Sequence, residues 1–167
     1  MGLFNSIFGD NKSLDRNDDQ IVAVVDGRVL PLDKVTDQTF SRELLGETIA
    51  IKPSDDIFVS PANGVLEMLF STKHSYGVRM KNGQTVLVHI GIDTVELKGQ
   101  GFKAFAKQGD TVKAGQKIIS ADLYAIKSAG YQTTTMMIVT GVSGGTANEQ
   151  FVSPGTYVMK GQVINNK

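Results

Sequence analysis

The segment GDTVKAGQKI at residues 109–118 recurs in the same chain as GTYVMKGQVI at residues 155–164. Both copies follow the pattern G-x-x-V-x-x-G-Q-x-I, in which the glycines suit turns and the apolar residues suit core positions. A weaker echo pairs DGRVL at residues 26–30 with NGVL at residues 63–66. Two copies are too few for a solenoid, so the repeat predicts two pseudo-symmetric halves that share one hydrophobic core.

Around the repeat, glycine-containing turns cut the chain into short β-prone runs. Runs rich in β-branched residues lie at residues 21–25, 48–51, 64–66 and 84–88. Three dipeptides are typical of hairpin turns or bulges: Asp26-Gly27, Asn63-Gly64 and Asn82-Gly83. Helical patterns are confined to one or two turns at residues 37–45 and 101–107. The sequence therefore predicts an all-β sandwich or barrel with short helical turns.

The composition excludes several classes of protein. A length of 167 residues fits one domain, which we expect at residues 21–167 behind a flexible segment at residues 1–20. The 17 basic residues equal the 17 acidic residues, so the chain lacks the basic bias of a typical nucleic-acid-binding protein. The absence of cysteine excludes disulfides, thiolate metal sites and a cysteine nucleophile. Chemistry that needs an imidazole must use His74 or His89, the two histidines of the chain.

The N-terminal residues 1–10 are candidates for a weak contact with a membrane surface. A short helix would gather Leu3, Phe4, Ile7 and Phe8 on one face, although a frayed tail explains the same pattern. No apolar run approaches the ~18–20 residues that span a bilayer. No secretory signal pattern is present either.

The run VLVHIGID at residues 86–93 places His89 on a strand. Side chains alternate along a strand, so the β-branched residues of this run share the core face and His89 points the other way. A hairpin turn near residues 81–83 would bring His74 close to His89. One imidazole could act as a nucleophile and the other stabilise developing charge, with the Thr72 hydroxyl fixing the tautomer of His74. A partly exposed histidine without a role would give the same pattern.

Two imidazoles and a carboxylate could instead bind zinc, with Asp93 or Glu96 completing the set. Neither H-E-x-x-H nor H-x-H is present, so we predict no intrinsic metal site. His74 and His89 could still act as zinc ligands at an interface with a partner. A Walker-type loop is also missing, which argues against direct ATP chemistry, and we expect no cofactor.

Three segments carry the pattern of a known family. LVHIGIDTVELKGQGF at residues 87–102 matches a phosphorylation-site signature. SPANG at residues 60–64 matches an A-P-x-x-G turn with Ser60 in place of alanine, and GETIAIKP at residues 46–53 matches G-x-G-x-A-I-x-P with Thr48 in place of the second glycine. From about residue 21 to its end, the chain resembles the glucose-type IIA components (EIIA-Glc family) of the bacterial phosphoenolpyruvate-dependent sugar phosphotransferase system.

This resemblance implies a fold, an activity and partners. The fold is the antiparallel barrel-sandwich hybrid called the duplicated hybrid motif, formed by an EIIA type-1 domain. His89 would accept a phosphoryl group from the phosphohistidine of the carrier protein HPr and pass it to a cysteine of a sugar-specific EIIB domain. His74 would contact the phosphoryl oxygens, and Thr72 would hydrogen-bond to His74. The lack of cysteine agrees with an acceptor on a separate EIIB domain.

The resemblance also implies a docking surface around the two histidines. In the family, apolar residues and two acidic side chains ring the site; the matching positions are Phe40, Leu44, Phe70, Tyr76, Asp37 and Asp93. Taken alone, each aromatic residue is better explained by core packing. Tyr76 stands where phenylalanine is common. The resemblance further implies a cytoplasmic protein, which could lie peripherally at the inner face of the membrane.

Two other classes of protein share parts of this pattern. A zinc-dependent peptidoglycan endopeptidase has a duplicated β architecture, and His89 to Asp93 has the spacing of its H-x-x-x-D segment. Two histidines cannot also supply its H-x-H segment. A biotinyl- or lipoyl-type carrier would use Lys81 near a hairpin tip, but Met80-Lys81-Asn82 lacks the second methionine of Met-Lys-Met. A charged turn explains that segment more simply.

Overall fold

The computed structural model describes residues 17–41, 46–141 and 150–165, apart from the side chains of residues 39 and 40. These residues form eleven short strands: β1 (Gly27–Leu30), β2 (Glu47–Pro53), β3 (Ile57–Val59), β4 (Gly64–Leu69), β5 (Ser75–Met80), β6 (Thr85–Ile90), β7 (Phe102–Ala104), β8 (Thr111–Val112), β9 (Lys117–Ala121), β10 (Thr135–Val139) and β11 (Tyr157–Val158). Their helical elements are the α-helices α1 (Gln38–Ser41) and α2 (Leu123–Ser128) and the 3₁₀ helices Leu32–Lys34 and Thr94–Leu97.

The strands pair antiparallel throughout and build two sheets. One sheet has eight strands in the order β11-β1-β2-β10-β6-β5-β4-β8, and the other has three in the order β3-β9-β7. The two sheets share one hydrophobic core, in which Val86, Val88 and Ile90 of β6 lie with Phe58 of β3 and Ile119 of β9. This architecture confirms the predicted all-β, antiparallel fold with short helical turns.

A smaller apolar cluster covers part of the other face of the eight-stranded sheet. Ala50 of β2 and Met136 and Ile138 of β10 pack there with Val35, which follows the 3₁₀ helix Leu32–Lys34. Because β10 pairs with β6, with Met136 opposite His89, this cluster lies beside the face toward which His89 points. Val35, with Leu32 of the 3₁₀ helix, therefore packs on the same face of the sheet as His89.

The internal repeat is visible in the strand pairing. Val158 of one copy pairs with Gly27 where β11 meets β1, and Val112 of the other copy pairs with Gly64 where β8 meets β4. Each copy of the main repeat therefore pairs with one copy of the weaker echo. The chain consists of two similarly built halves that share one core, as the sequence predicts.

The glycines of the weaker echo do not form hairpin turns. Gly27 and Gly64 begin strands β1 and β4. A Cβ atom would lie 2.2 Å from the carbonyl oxygen of Lys52 at the first position and 2.1 Å from that of Arg79 at the second. The hairpin prediction is wrong at these two dipeptides, because glycine is needed for close approach to the neighbouring strand. It is right at Gly83, which has a φ of 92° in the turn between β5 and β6.

Other local predictions also differ from the structure. Residues 21–25 are buried but make only an isolated bridge, Val22 to Val163, instead of a strand. Residues 101–107 contain strand β7 rather than a helix, since their side chains alternate between core and solvent. Helix α2 was not predicted; it begins where the Asp122 carboxylate caps the backbone N–H of Ala125 at 3.0 Å.

The predicted flexible segment, residues 1–20, is described from residue 17 onward. Residues 1–10, the candidate membrane contact, lie outside the described residues. Asp19 of this segment contacts the folded body: its carbonyl oxygen accepts a hydrogen bond from the Asn165 amide at 3.1 Å. Among the described residues, no helix has the length and apolar character to cross a membrane.

Candidate functional site

The two histidines come together at one end of the β5–β6 hairpin. His89 lies on β6, where the odd-numbered side chains face away from the core. His74 immediately precedes β5, and its carbonyl oxygen accepts a hydrogen bond from the N–H of Ile90 at 2.8 Å. The two imidazole centroids lie 5.0 Å apart with the rings nearly perpendicular, at 82°. The hairpin register therefore makes the rings direct neighbours.

The hydrogen bond of His89 determines which ring nitrogen carries its proton. Nδ1 lies 2.8 Å from the carbonyl oxygen of Gly91. A carbonyl oxygen can only accept, so Nδ1 carries the hydrogen and donates it. In the neutral ring, Nε2 then holds a lone pair on the side away from Gly91. His89 is thus arranged as a nucleophile at Nε2.

Gly91 supports this arrangement through its own backbone. Its φ is +81°, and a Cβ atom would lie 2.5 Å from Cγ2 of Thr94 and 2.7 Å from the carbonyl oxygen of Gln132. Its N–H donates to the carbonyl oxygen of Thr134 at 3.0 Å, and the Thr94 hydroxyl donates to the carbonyl oxygen of Ile90. The sequence analysis did not single out Gly91 as a site residue. A glycine two residues after a strand histidine is the signal that could have revealed a carbonyl turned back onto the ring.

The second imidazole is held by Thr72, as the sequence suggests. Nδ1 of His74 lies 2.6 Å from the hydroxyl oxygen of Thr72. A threonine hydroxyl can donate or accept, so either tautomer of His74 satisfies this contact. Lys73 between them has a φ of 60°, which turns the chain so that both side chains meet.

Both imidazoles are neutral near pH 7. Burial, together with charge repulsion from the neighbouring His89, lowers the pKa of His74 to about 4. Burial also lowers the pKa of His89, while the Gly91 carbonyl and the carboxylates of Asp37 and Asp93 oppose that effect. A neutral His89 retains the lone pair that a nucleophile needs.

The surroundings of the pair contain apolar and acidic groups. The Phe70 ring lies 5.3 Å from that of His74 and is 43% exposed, as suits a rim position. Val95 follows His89 by six residues along the chain, in the 3₁₀ helix after β6; it is also 43% exposed and was not predicted from the sequence. Asp37 and Asp93 act electrostatically on His89. Two further predicted rim members, Leu44 and the Phe40 side chain, lie outside the described residues.

Tyr76 does not belong to this surface. It is fully buried, and its hydroxyl donates to the carbonyl oxygen of Val59 at 2.6 Å. The physical reason is the strand register: Tyr76 pairs with Val88, whose side chain faces the core, so Tyr76 faces the core as well. The prediction of Tyr76 as a docking residue is therefore wrong. Its hydroxyl instead connects the eight-stranded sheet to β3 of the smaller sheet.

The metal-binding capacity of the site is small. Across the described ranges, no group of three or more His, Cys, Asp or Glu side chains is placed to hold a metal ion. The pair offers two imidazole nitrogens, and zinc sites in proteins use three or four protein ligands. Binding of zinc at an interface with a partner stays a prediction.

Comparison with known proteins identifies the family. The model of the family described as phosphoenolpyruvate-dependent sugar phosphotransferase system, EIIA 1, matches residues 19–145. The chain belongs to this EIIA family. The matched region contains His74, His89 and the three segments that resemble family motifs, so the resemblance seen in the sequence is confirmed. EIIA membership favours a phosphocarrier over the endopeptidase and the biotinyl- or lipoyl-type carrier.

Individual EIIA relatives agree with the family match. The PTS system glucose-specific EIIA component of Bacillus cereus is 38% identical over 138 residues, which cover 83% of this chain and 82% of the relative. The PTS system glucose-specific EIICBA component of Streptococcus pneumoniae is 38% identical over 122 residues, 73% of this chain but 17% of the relative. The solved structure of glucose permease IIA from Mycoplasma capricolum matches with a TM-score of 0.80 and 35% identity, covering 87% of this chain and 93% of that one.

Proposed function

We propose that this EIIA chain is a phosphocarrier whose His89 accepts a phosphoryl group from phospho-HPr and passes it to a cysteine of an EIIB domain. The observation that carries the proposal is the hydrogen bond from Nδ1 of His89 to Gly91, which leaves the lone pair on Nε2. In the first step, the bond from Nε2 to phosphorus forms as the phosphohistidine bond in HPr breaks. In the second, a cysteine sulfur takes the phosphoryl group and His89 returns to its starting state.

His74 is proposed to stabilise the phosphoryl group during both steps. If the Thr72 hydroxyl donates to Nδ1, the hydrogen of neutral His74 lies on Nε2, where it can donate to a phosphoryl oxygen. Transfer of a phosphoryl group needs mainly positioning and charge stabilisation, which a fixed donor beside the nucleophile supplies. The 5.0 Å separation of the ring centroids supports this role.

The partners are proposed to dock on the surface around the pair. Exposed Phe70 and Val95 offer apolar contact, while Asp37 and Asp93 offer negative charge to basic groups on HPr or EIIB. Phe40 and Leu44 stay predicted members of this surface. The chain has no cysteine of its own, so the second acceptor is proposed to lie on another domain.

The location of the chain follows from the same proposal. Exchange with HPr and an EIIB domain requires a cytoplasmic protein, which we propose here. A weak contact of residues 1–10 with the inner face of the membrane stays a prediction, and flotation with anionic vesicles, with and without these residues, tests it.

The proposal is tested by reconstituting phosphoryl transfer from phosphoenolpyruvate through Enzyme I and HPr. The intact chain should gain about 80 Da, the mass of one phosphoryl group, in an acid-labile and base-stable form. His89→Gln should abolish this gain, whereas His74→Gln should accept the group but fail to pass it to EIIB. Normal labelling of His89→Gln would show the site assignment to be wrong. Full onward transfer by His74→Gln would remove His74 from the mechanism.

A further inference from the structure

A concave site lies at the edge of the eight-stranded sheet, apart from the histidine pair. It is a cavity of about 410 Å³ between β4, β5 and the edge strand β8. Val65 gives it a half-buried apolar side chain, whereas Met80 and Val112 at its base are buried in the core. Its charged lining residues are exposed Lys81 and Lys113, Asp18, and Arg79, which pairs with Glu67 at 3.0 Å. Neither histidine, nor any of the residues around them, lines it. Its volume lies in the range of small-molecule sites.

The internal duplication shows which groups occupy the equivalent place in the other half. In the second half, Val65 of β4 pairs with Thr111 of β8. In the first half, the equivalent pair is Arg28 of β1 and Tyr157 of β11, because Gly27 and Gly64 occupy matching positions in their ladders. The same registers make Ser54, which follows β2, the counterpart of Lys81, which follows β5.

In the first half, a tyrosine side chain occupies this place. The Arg28 guanidinium carbon lies 5.6 Å from the centroid of the Tyr157 ring. The Tyr157 hydroxyl lies 2.6 Å from the hydroxyl of Ser54, so the phenol bridges the two strands beside β1. Thr111 replaces this ring in the second half with a side chain too short to do the same. The cavity therefore lies at the position that the Tyr157 ring fills in the first half.

The charges around the cavity indicate what would replace that phenol. Lys81 is the counterpart of Ser54, whose hydroxyl contacts the Tyr157 hydroxyl in the first half. The polar end of a bound ligand would therefore meet the Lys81 ammonium group instead of a hydroxyl. The Lys81 ammonium lies 3.5 Å from the Asp18 carboxylate, a long and exposed ion pair. Lys113 makes no ion pair with any residue in the described part of the chain. An anionic group fits this end better than a neutral one.

We propose that this cavity binds a small molecule with one flat apolar ring and one carboxylate or phosphate. The ring would lie over Val65, between β4 and β8, in the place that Tyr157 occupies in the first half. The anionic group would lie near Lys81 and Lys113. Apolar contact and charge are both needed, because each alone is weak at a partly open surface.

Titration of the full-length chain with phenyl phosphate, followed by backbone amide NMR, tests the proposal. Saturable shifts are expected at residues 64–65, 81 and 111–113, with a dissociation constant of about 1 mM for so small a probe. Benzoate should shift the same amides, whereas phenol and inorganic phosphate, each offering half of the recognition, should not saturate in the same range. Saturation by inorganic phosphate alone, or no saturable shift with phenyl phosphate, would overturn the proposal.

Two variants locate the probe within the cavity. Thr111→Tyr rebuilds the ring of the first half and should abolish binding by filling the space. Lys113→Gln should weaken binding about fivefold through loss of one charged contact, while Lys103→Gln, on β7 of the other sheet, should leave it unchanged. Both Lys113 and Lys103 are exposed, so these substitutions should leave the fold intact. Equal binding by Lys113→Gln and Lys103→Gln would contradict the proposed site.

Discussion

At the scale of single residues, the chemistry depends on which nitrogen of His89 holds its proton. The Gly91 carbonyl fixes that proton on Nδ1 at a distance of 2.8 Å. The carbonyl can reach the ring because Gly91 has a φ of +81°, a conformation that other residues adopt only with strain. The nucleophile is therefore prepared by the backbone rather than by a second side chain.

The role of Gly91 can be tested by adding a single methyl group. In Gly91→Ala, the Cβ atom would meet the Gln132 carbonyl oxygen at 2.7 Å, so the turn must shift and the Nδ1 hydrogen bond should weaken. We expect phosphorylation at least about tenfold slower, and a mixed tautomer of His89 in nitrogen NMR. Gly130→Ala is the matched control, since Gly130 also has a positive φ of +94° but nothing within 4 Å of a Cβ atom. An unchanged His89 tautomer in Gly91→Ala would contradict the role given to the carbonyl.

The lowered pKa of His74 makes the free energy of unfolding depend on pH. The pKa of His74 is about 4 in the folded chain, below the ordinary histidine value of 6.5, so the unfolded state binds a proton more readily. The stability that neutral His74 contributes is complete above pH ~6.5 and is lost as the pH falls toward ~4. We expect this loss to reach about 2 kcal/mol, allowing for solvent screening near the surface. Urea unfolding at several pH values should show a smaller acid loss for His74→Gln than for the unmodified chain; equal losses would refute the shift.

At the scale of elements, the β5–β6 hairpin positions the site, and much of it could be predicted from the sequence. The alternation along residues 86–90 and the turn at Asn82-Gly83 were enough to place His89 outward and His74 beside it. The burial of Tyr76 was not predicted, because its orientation depends on the register opposite Val88. Helix α2 and the absence of a strand at residues 21–25 also depend on tertiary contacts rather than on local pattern.

The corrected position of Tyr76 leads to a prediction for this hairpin. Tyr76→Phe removes the hydrogen bond to the Val59 carbonyl oxygen but keeps the ring in the core. We expect a loss of about 1–2 kcal/mol in the free energy of unfolding, because the buried carbonyl loses a partner. Phosphoryl exchange with HPr should keep its rate. A slower exchange at unchanged stability would restore Tyr76 to the docking surface.

At the scale of the whole molecule, the two halves share the same strand pairing, and they differ in the side chains at the cavity beside β8. In both halves a glycine begins a strand, and the residue before it accepts a hydrogen bond from the main repeat. The Asp26 carboxylate accepts from the N–H of Lys160 at 2.8 Å, and the Asn63 side-chain oxygen accepts from the N–H of Ala114 at 2.9 Å. The repeat predicted two matched halves, but these contacts were not predicted, because the sequence indicated hairpin turns at both dipeptides. The cavity was not predicted either, since nothing in the pattern shows that Thr111 leaves open the space that Tyr157 fills in the other half.

The shared scaffold predicts matched effects in the two halves. Gly27→Ala and Gly64→Ala each bring a Cβ atom to about 2 Å from a carbonyl oxygen of the next strand. We expect each to lower the free energy of unfolding by about 3 kcal/mol, measured by urea denaturation. Gly109→Ala, with a positive φ but open space around it, should cost about 1 kcal/mol. A large difference between Gly27→Ala and Gly64→Ala would show that the two halves are not equivalent in energy.

The most direct test of the central claim is to locate the phosphoryl group on the chain after incubation with phosphoenolpyruvate, Enzyme I and HPr. Nitrogen and phosphorus NMR of the labelled chain distinguish the two histidines and the two nitrogens of each ring. The hydrogen bond from Nδ1 to Gly91 predicts a single phosphoryl group on Nε2 of His89, with His74 unmodified. A phosphoryl group on Nδ1 of His89, or on His74, would contradict the account.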